Sequence, residues 1–422
     1  MKTEIREPRA SEVVDHFFRH EYGRVISFLA RKFGADQFEL VEDAVQEALY
    51  KAMQAWPFSG IPANPSGWIT KTAQNKLIDE LRRSQGFDQK AKQIIDEAEK
   101  QQLPDDVILR NELGDDLLKM MFACCRPEIN EEYQIILALK ILCGFGNKEI
   151  AMSLFKTEEA VAKAYLRSKE KLRETGFMLS VPSGEGLGHR LENLLRIIYL
   201  LFNEGYKAAL GPALVRKDLC LEAIRLTGHI LDHPSLSTSG ANSLMALMLF
   251  QTARFESRIN KEGRLQTLLE QDRGLWDRKL IEGGIAYLDR AAQANELTEY
   301  YVQASIAAVH CFAPDFKSTD WNAILSLYNI LLRINPGKVV ALNRIVALAR
   351  VEGPEKALLE LKSIEDEKLV NYYLFHAIKA DLLNTVGDRK SATAAYEKAS
   401  ILADNQLEKE YLLSMAQKAP AP

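Results

Sequence analysis

The 422-residue sequence is poor in cysteine: Cys124, Cys125, Cys143, Cys220 and Cys311 show no CxxC pair and no Cys/His ligand spacing. That excludes a disulfide scaffold and a zinc motif, and predicts reduced, buried thiols in a cytoplasmic protein. No apolar run approaches the roughly 18 residues of a membrane span, and no export signal opens the sequence, so no membrane partner is expected. Excess positive charge is also missing. The 54 Lys+Arg and 58 Asp+Glu leave a formal charge of −4, whereas a protein that gripped duplex DNA unaided would carry a basic footprint. Phosphate loops, paired acid–base spacings and nucleophile motifs are absent too, so no catalytic residue, cofactor or metal is expected. The length exceeds one ordinary core and predicts two or three domains.

What is present is helical periodicity, clearest over residues 40–83. Val41, Ala44, Val45, Ala48, Leu49, Ala52, Met53 and Trp56 share one helix face, while Asp43, Gln46, Glu47 and Tyr50 share another. A loop with three prolines and two glycines follows, Pro57 to Gly67. A second helix then starts at Asn64, Pro65 or Ser66. Ile69, Ala73, Leu77 and Leu81 form its apolar side; Lys71, Asn75, Asp79, Arg82 and Arg83 lie opposite, with Trp68 near the beginning.

This ordered pair of helices resembles the region-2 module of bacterial extracytoplasmic-function sigma factors. The resemblance implies that Asp43, Gln46, Glu47 and Tyr50 face core RNA polymerase. It makes Phe58 to Ser66 the loop that holds a base extruded from the promoter −10 element. Trp68, Lys71, Asn75, Asp79, Arg82 and Arg83 would follow the unpaired strand, where aromatic and Arg planes stack on bases and cations track the backbone. An opening helix over Val13 to Phe33, ended by Gly34, extends the module to residues 11–83.

Residues 84–112 read as a Gln-, Lys- and acid-rich linker. Residues 113–176 form a second helical module. Within it, Lys148 to Phe155 and a helix capped by Thr157 resemble the helix-turn-helix of sigma region 4, which reads the −35 element. Ile150, Ala151, Leu154, Val161 and Tyr165 make the inner set; Lys163, Arg167, Lys169 and Lys171 are the DNA-facing cations. Phe155, Lys156 and Ala164 depart from the usual turn and contact residues. Residues 1–83 and 113–174 each carry no net charge, which suits a subunit that reaches DNA with polymerase supplying most phosphate contacts.

A Ser-, Pro- and Gly-rich break over 179–188 precedes a helical middle domain, 187–300. There Glu204, Arg254, Arg258, Asp272 and Trp276 are candidates for a ligand pocket, against the plainer reading that such charges staple helices together. Over 301–415 a 34-residue step links Gly353 to Gly387, Tyr328 to Lys362 and Tyr396, and Pro336 to Val370 and Asp404. This resembles tetratricopeptide repeats in three units, 305–338, 339–372 and 373–406, with Pro314 interrupting the first. The expected fold is all-α: two sigma modules, a helical domain and an α-solenoid whose groove could take a peptide or protein. The expected function is promoter selection, with core RNA polymerase and promoter DNA as partners and the C-terminal extension as regulator. Two alternatives stand beside it: a tetratricopeptide-type scaffold without promoter function, and a small-molecule enzyme using residues 189–300.

Overall fold

A computed structural model describes residues 21–34, 37–83, 116–154, 156–174, 179–184, 186–206, 217–294, 296–367, 369–403 and 405–418. Among them the regular structure is helical, apart from one bridge between Ile259 and Leu265, so the all-α expectation holds. The start of the opening helix, the linker, Phe155 and Asp404 lie outside the described residues. The chain divides into two compact units, Met1–Leu201 and Phe202–Pro422.

The first unit begins with α1 (Tyr22–Phe33), α2 (Phe38–Ser59) and α3 (Pro65–Arg83). Burial follows the periodicity: Val25, Ile26 and Leu29 of α1, Val41, Val45 and Ala52 of α2, and Ile69, Ala73 and Leu77 of α3 are closed to solvent. Met53 is the exception on α2, half exposed. Gly34 ends α1 at φ +95°, a left-handed conformation that L side chains rarely adopt.

The second half of the unit contains a helical stretch over 116–124 (α4), α5 (Glu131–Leu137), α6 (Asn147–Ser153) and α7 (Glu158–Glu174). Apolar periodicity over 131–142 predicts one continuous α-helix. The structure instead widens α5 into a π turn, Ala138–Leu142, closed by Cys143 N on Ala138 O at 3.2 Å. The cap expected of Thr157 is present, its hydroxyl accepting from Ala160 N at 3.1 Å. The first unit ends within α8 (Gly186–Tyr206). Asn193 of α8 donates to Cys125 O at 2.9 Å and Gln134 Oε1 at 2.6 Å, and Arg190 donates to Phe122 O.

In the second unit, α9 (Lys217–Leu231), α11 (Arg278–Ala292) and α12 (Glu299–Phe312) pack around α10 (Ser239–Thr252). Leu244 to Phe250 of α10 are buried without a break, as a helix apolar on every side requires. Next come α13 (Trp321–Ile334), α14 (Lys338–Glu352), α15 (Pro354–Ser363), α16 (Tyr373–Thr385), α17 (Arg389–Leu402) and α18 (Gln406–Lys418). Pairs α14–α15 and α16–α17 turn at Gly353 (φ +97°) and Gly387 (φ +89°), the two glycines of the 34-residue step. Apolar clusters join successive pairs; one unites Leu342 and Ile345 of α14, Ala357 and Leu361 of α15, and Phe375 of α16. All five cysteines are free and buried.

Candidate nucleic-acid and polymerase interface

The corner between α2 and α3 is built around two tryptophans. Trp56, buried at the end of α2, meets Trp68 edge to face at 5.6 Å. Between them the loop expected over Pro57–Gly67 is shorter: α2 runs through Pro57 to Ser59, the chain leaves it at Gly60 (φ +78°), and α3 begins at Pro65, where Asn64 Oδ1 accepts from Gly67 N at 2.8 Å. The choice of cap left open by the sequence falls on Asn64. At this corner the Phe58 ring is 93% exposed. Lys71, Asn75, Asp79, Arg82 and Arg83 are exposed along α3, and their spacing puts them in one stripe.

On α2, Asp43, Gln46 and Tyr50 are exposed. Glu47 is half-buried: Lys51 Nζ lies 3.0 Å and Lys76 Nζ 2.7 Å from its carboxylate, and Lys76 continues to Glu80 at 2.9 Å. The Lys76 hydrogen bond holds the Glu47 carboxyl below its ordinary range. Glu47 therefore ties α2 to α3 as well as bordering the exposed face. Tyr22 of α1 hydrogen-bonds Gln46, and burial raises the Tyr22 phenol above its usual value.

On α7, Lys163, Arg167 and Lys171 are exposed, Lys163 pairing with Glu159 at 2.6 Å and Lys171 with Glu174 at 3.1 Å. Lys169, expected on the DNA side, is turned inward. Its ammonium lies 3.3 Å from Glu42 Oε2 and 5.0 Å from the Tyr165 ring centre. The helical spacing that puts Lys169 four residues from Tyr165 also puts it beside that buried ring.

The five pocket candidates of the middle region are engaged in folding contacts. Arg258 donates to Tyr206 O at 2.7 Å and stacks over the Tyr206 ring at 4.1 Å; burial lowers its pKa. Arg254 lies over Trp276 at 5.5 Å, and Trp276, itself buried, donates through Nε1 to Ser257 Oγ at 2.8 Å. Asp272 is exposed and accepts from Gly274 N at 2.8 Å. Glu204 is half-buried and also has partners. The residue that organises this cluster is Arg273, the neighbour of Asp272 in the same charged and aromatic stretch. It donates to His310 O at 2.7 Å, Ala313 O at 2.6 Å and Thr319 Oγ1 at 3.0 Å. Arg258, Arg273 and Trp276 staple this region through carbonyls, a ring and hydroxyls. Among the described residues no group of three His, Cys, Asp or Glu could hold a metal ion, and no helix is long and apolar enough to cross a membrane.

Residues 17–87 match sigma-70 region 2, and residues 190–292 match a family of unknown function, DUF6596. "Uncharacterized protein R00370" of Rhizobium meliloti (strain 1021) is 34% identical over 380 residues, 89% of this chain and 88% of the relative. The helices carrying Asp43, Phe58 and Arg82 thus lie inside the sigma-70 match, which sets aside both the enzyme and the scaffold without promoter function. The chain belongs to the family of that Rhizobium protein and is a non-enzymatic sigma factor of transcription initiation, built on sigma-70 region 2.

Proposed function

We propose that this sigma factor is of the extracytoplasmic-function type and that its two modules share promoter recognition. Asp43, Gln46, Glu47 and Tyr50 dock on the polymerase clamp. Phe58 and the loop to Ser66 capture an unpaired base of the −10 element, while Trp68, Lys71, Asn75, Asp79, Arg82 and Arg83 follow the same strand. The second module reads the −35 element from the start of α7 as a helix-turn-helix, with Lys163, Arg167 and Lys171 toward the phosphates. The observation that carries the reading is the corner at Phe58. A fully presented aromatic ring heads an exposed polar and cationic stripe, and the buried Trp56, edge to face with the half-buried Trp68, fixes the angle between them. Stacking plus backbone-tracking cations is how single strands are held.

The second unit takes the regulatory role. Its successive helix pairs support a tetratricopeptide-like solenoid. A groove of about 600 Å³ lined by Leu358, Leu361, Phe375 and Leu383, with the exposed Leu359 on α15, suits an apolar peptide flanked by charge.

Binding to core polymerase tests the reading. Asp43→Arg with Tyr50→Ala should weaken binding at least about tenfold, roughly 1.4 kcal/mol. Phe58→Ala should leave polymerase binding intact and cut run-off transcription from a melted-promoter-dependent template by about tenfold, the scale of one lost stacking contact. Wild-type binding indifferent to the first variant overturns the docking face; transcription indifferent to the second overturns the base-capturing corner.

A further inference from the structure

Three guanidiniums of the second unit gather along one aromatic wall. Arg254 follows the end of α10 and lies over the Trp276 ring at 5.5 Å, and Arg273 lies over the same ring at 4.9 Å. Arg273 extends the wall: its Nη1 donates to His310 O at 2.7 Å, the His310 ring meets Trp321 of α13 edge to face at 5.4 Å, and Phe316 meets Trp321 at 5.2 Å. Arg350 of α14 closes the row, over Phe316 at 5.1 Å and Trp321 at 6.0 Å. The apolar groove at Leu358 and Phe375 is lined by other residues.

A charge withdrawn from water is ordinarily neutralised, because an unpaired one is heavily penalised there. Among the described residues these arginines have no carboxylate at ion-pair distance. Arg273 and the neighbouring Arg258 donate to carbonyls and a hydroxyl. Arg254 donates only through Nε, to Gln271 Oε1 at 3.3 Å. Arg350 has its two rings and no hydrogen bond; Asp381, whose carboxyl feels the Arg350 charge, is bonded by the Tyr396 hydroxyl instead. Burial, with the Arg254 charge adding to it, holds Arg258, Arg273 and His310 below their ordinary pKa values. The missing partner is therefore negative. The rings hold Arg254 and Arg350 in place without using their terminal N–H donors, which grip a carboxylate or phosphate with two parallel bonds. Arg254 is half-buried and Arg350 exposed, so both can be reached. We propose that this wall is the receptor for a small oxyanion, a carboxylate or a phosphate, taken by the terminal nitrogens of Arg254, with Arg350 meeting a second anionic group of the same ligand. The second unit thereby has a chemical input of its own, independent of the promoter contacts.

Calorimetric titration of the full-length chain with pyrophosphate and with citrate, in sodium chloride of matched ionic strength, tests the site. At least one of the two should bind saturably, and the tighter one names the chemistry of the ligand, phosphate or carboxylate. Arg254→Gln and Arg350→Gln should each weaken that binding at least about tenfold. Arg254→Lys, which keeps the charge and loses the planar fork, should weaken it as well. A second readout separates a receptor from a staple. Arg254→Gln relieves the repulsion on Arg258 and Arg273, so its midpoint of thermal unfolding in chloride should equal or exceed that of the wild type. The bound anion should raise the midpoint of the wild type more than that of the variant. Stabilisation by excluded salt acts on both and cancels in the difference. Binding of neither anion, binding indifferent to Arg254→Gln or to Arg350→Gln, or a clear drop in the midpoint of Arg254→Gln overturns the receptor.

Discussion

His310 lies on α12, 8% exposed, with its ring edge on Trp321 at 5.4 Å and its carbonyl held by Arg273. Its Nδ1 is buried without a hydrogen-bond partner among the described residues. Burial, helped by the positive Arg254 and Arg273, pushes the imidazole down to about 3 from an ordinary 6.5. Between those two values the unfolded chain binds a proton that the folded chain refuses. Stability must therefore fall as pH drops through that window, by up to about 1.4 kcal/mol per unit, and is unaffected by this group above it. His310→Phe keeps a ring against Trp321 and removes the titration. The stability lost between pH 7 and pH 5, measured by urea unfolding, should be roughly 1–2 kcal/mol smaller in the variant. An equal loss in both proteins would assign the acid sensitivity elsewhere. The His310 site is not legible in the sequence, and Arg273 is legible there only as one charge in a charged and aromatic stretch, without its partners. Polar groups that serve by capping distant carbonyls carry no periodic signature, and the partners of Arg273 lie 37 to 46 residues away.

Helices were the most legible elements, because burial of one face imposes a period that any side chain on that face repeats. The α2 and α3 faces, the Thr157 cap and the glycine turns at 353 and 387 all fell where spacing put them. The π turn was not legible, since apolar residues continue across it unbroken. The covering of Lys169 is not legible for a related reason: periodicity fixes which side of α7 a residue occupies, but not which neighbour covers that side. Packing against a second element also decides the two adjacent glycines of α11. A Cβ on Gly284 would come within 2.6 Å of the Phe250 ring, whereas one on Gly283 would sit 3.4 Å from Leu249 Cδ1. Replacing glycine by alanine in a helix interior is worth about 1 kcal/mol of propensity, and overpacking costs about 1–3 kcal/mol. The overpacking term wins at Gly284 and is small at Gly283. Gly284→Ala should lower the midpoint of thermal unfolding, and Gly283→Ala should leave it unchanged or raise it. The same sign for both would mean that α11 is not seated on Phe250 as described.

At the scale of the whole molecule, the sequence break over 179–188 invites a cut near residue 180 to isolate the promoter-binding part. The structure argues for a later cut. Arg190 and Asn193 of α8 close on carbonyls of Phe122 and Cys125, and Arg196 pairs with Glu131 at 3.1 Å. Leu191, Leu194, Leu195 and Ile198 of the same helix are buried. Each buried Leu or Ile contributes about 1.5–3 kcal/mol, so the helix accounts for several kcal/mol where a domain holds only about 5–15 in total. A chain ending at residue 180 loses that helix and exposes its seat on α4 and α5. One ending at residue 201 keeps it. The shorter fragment should unfold at lower urea and bind a hydrophobic dye before its main transition, while the 1–201 fragment should unfold in one cooperative step. Loss of transcription by the 1–180 fragment would then report a damaged first unit, and only the 1–201 fragment can ask whether the second unit restrains or assists the first. If the two fragments unfold alike, α8 belongs energetically to the second unit, and the earlier cut is the proper test of regulation.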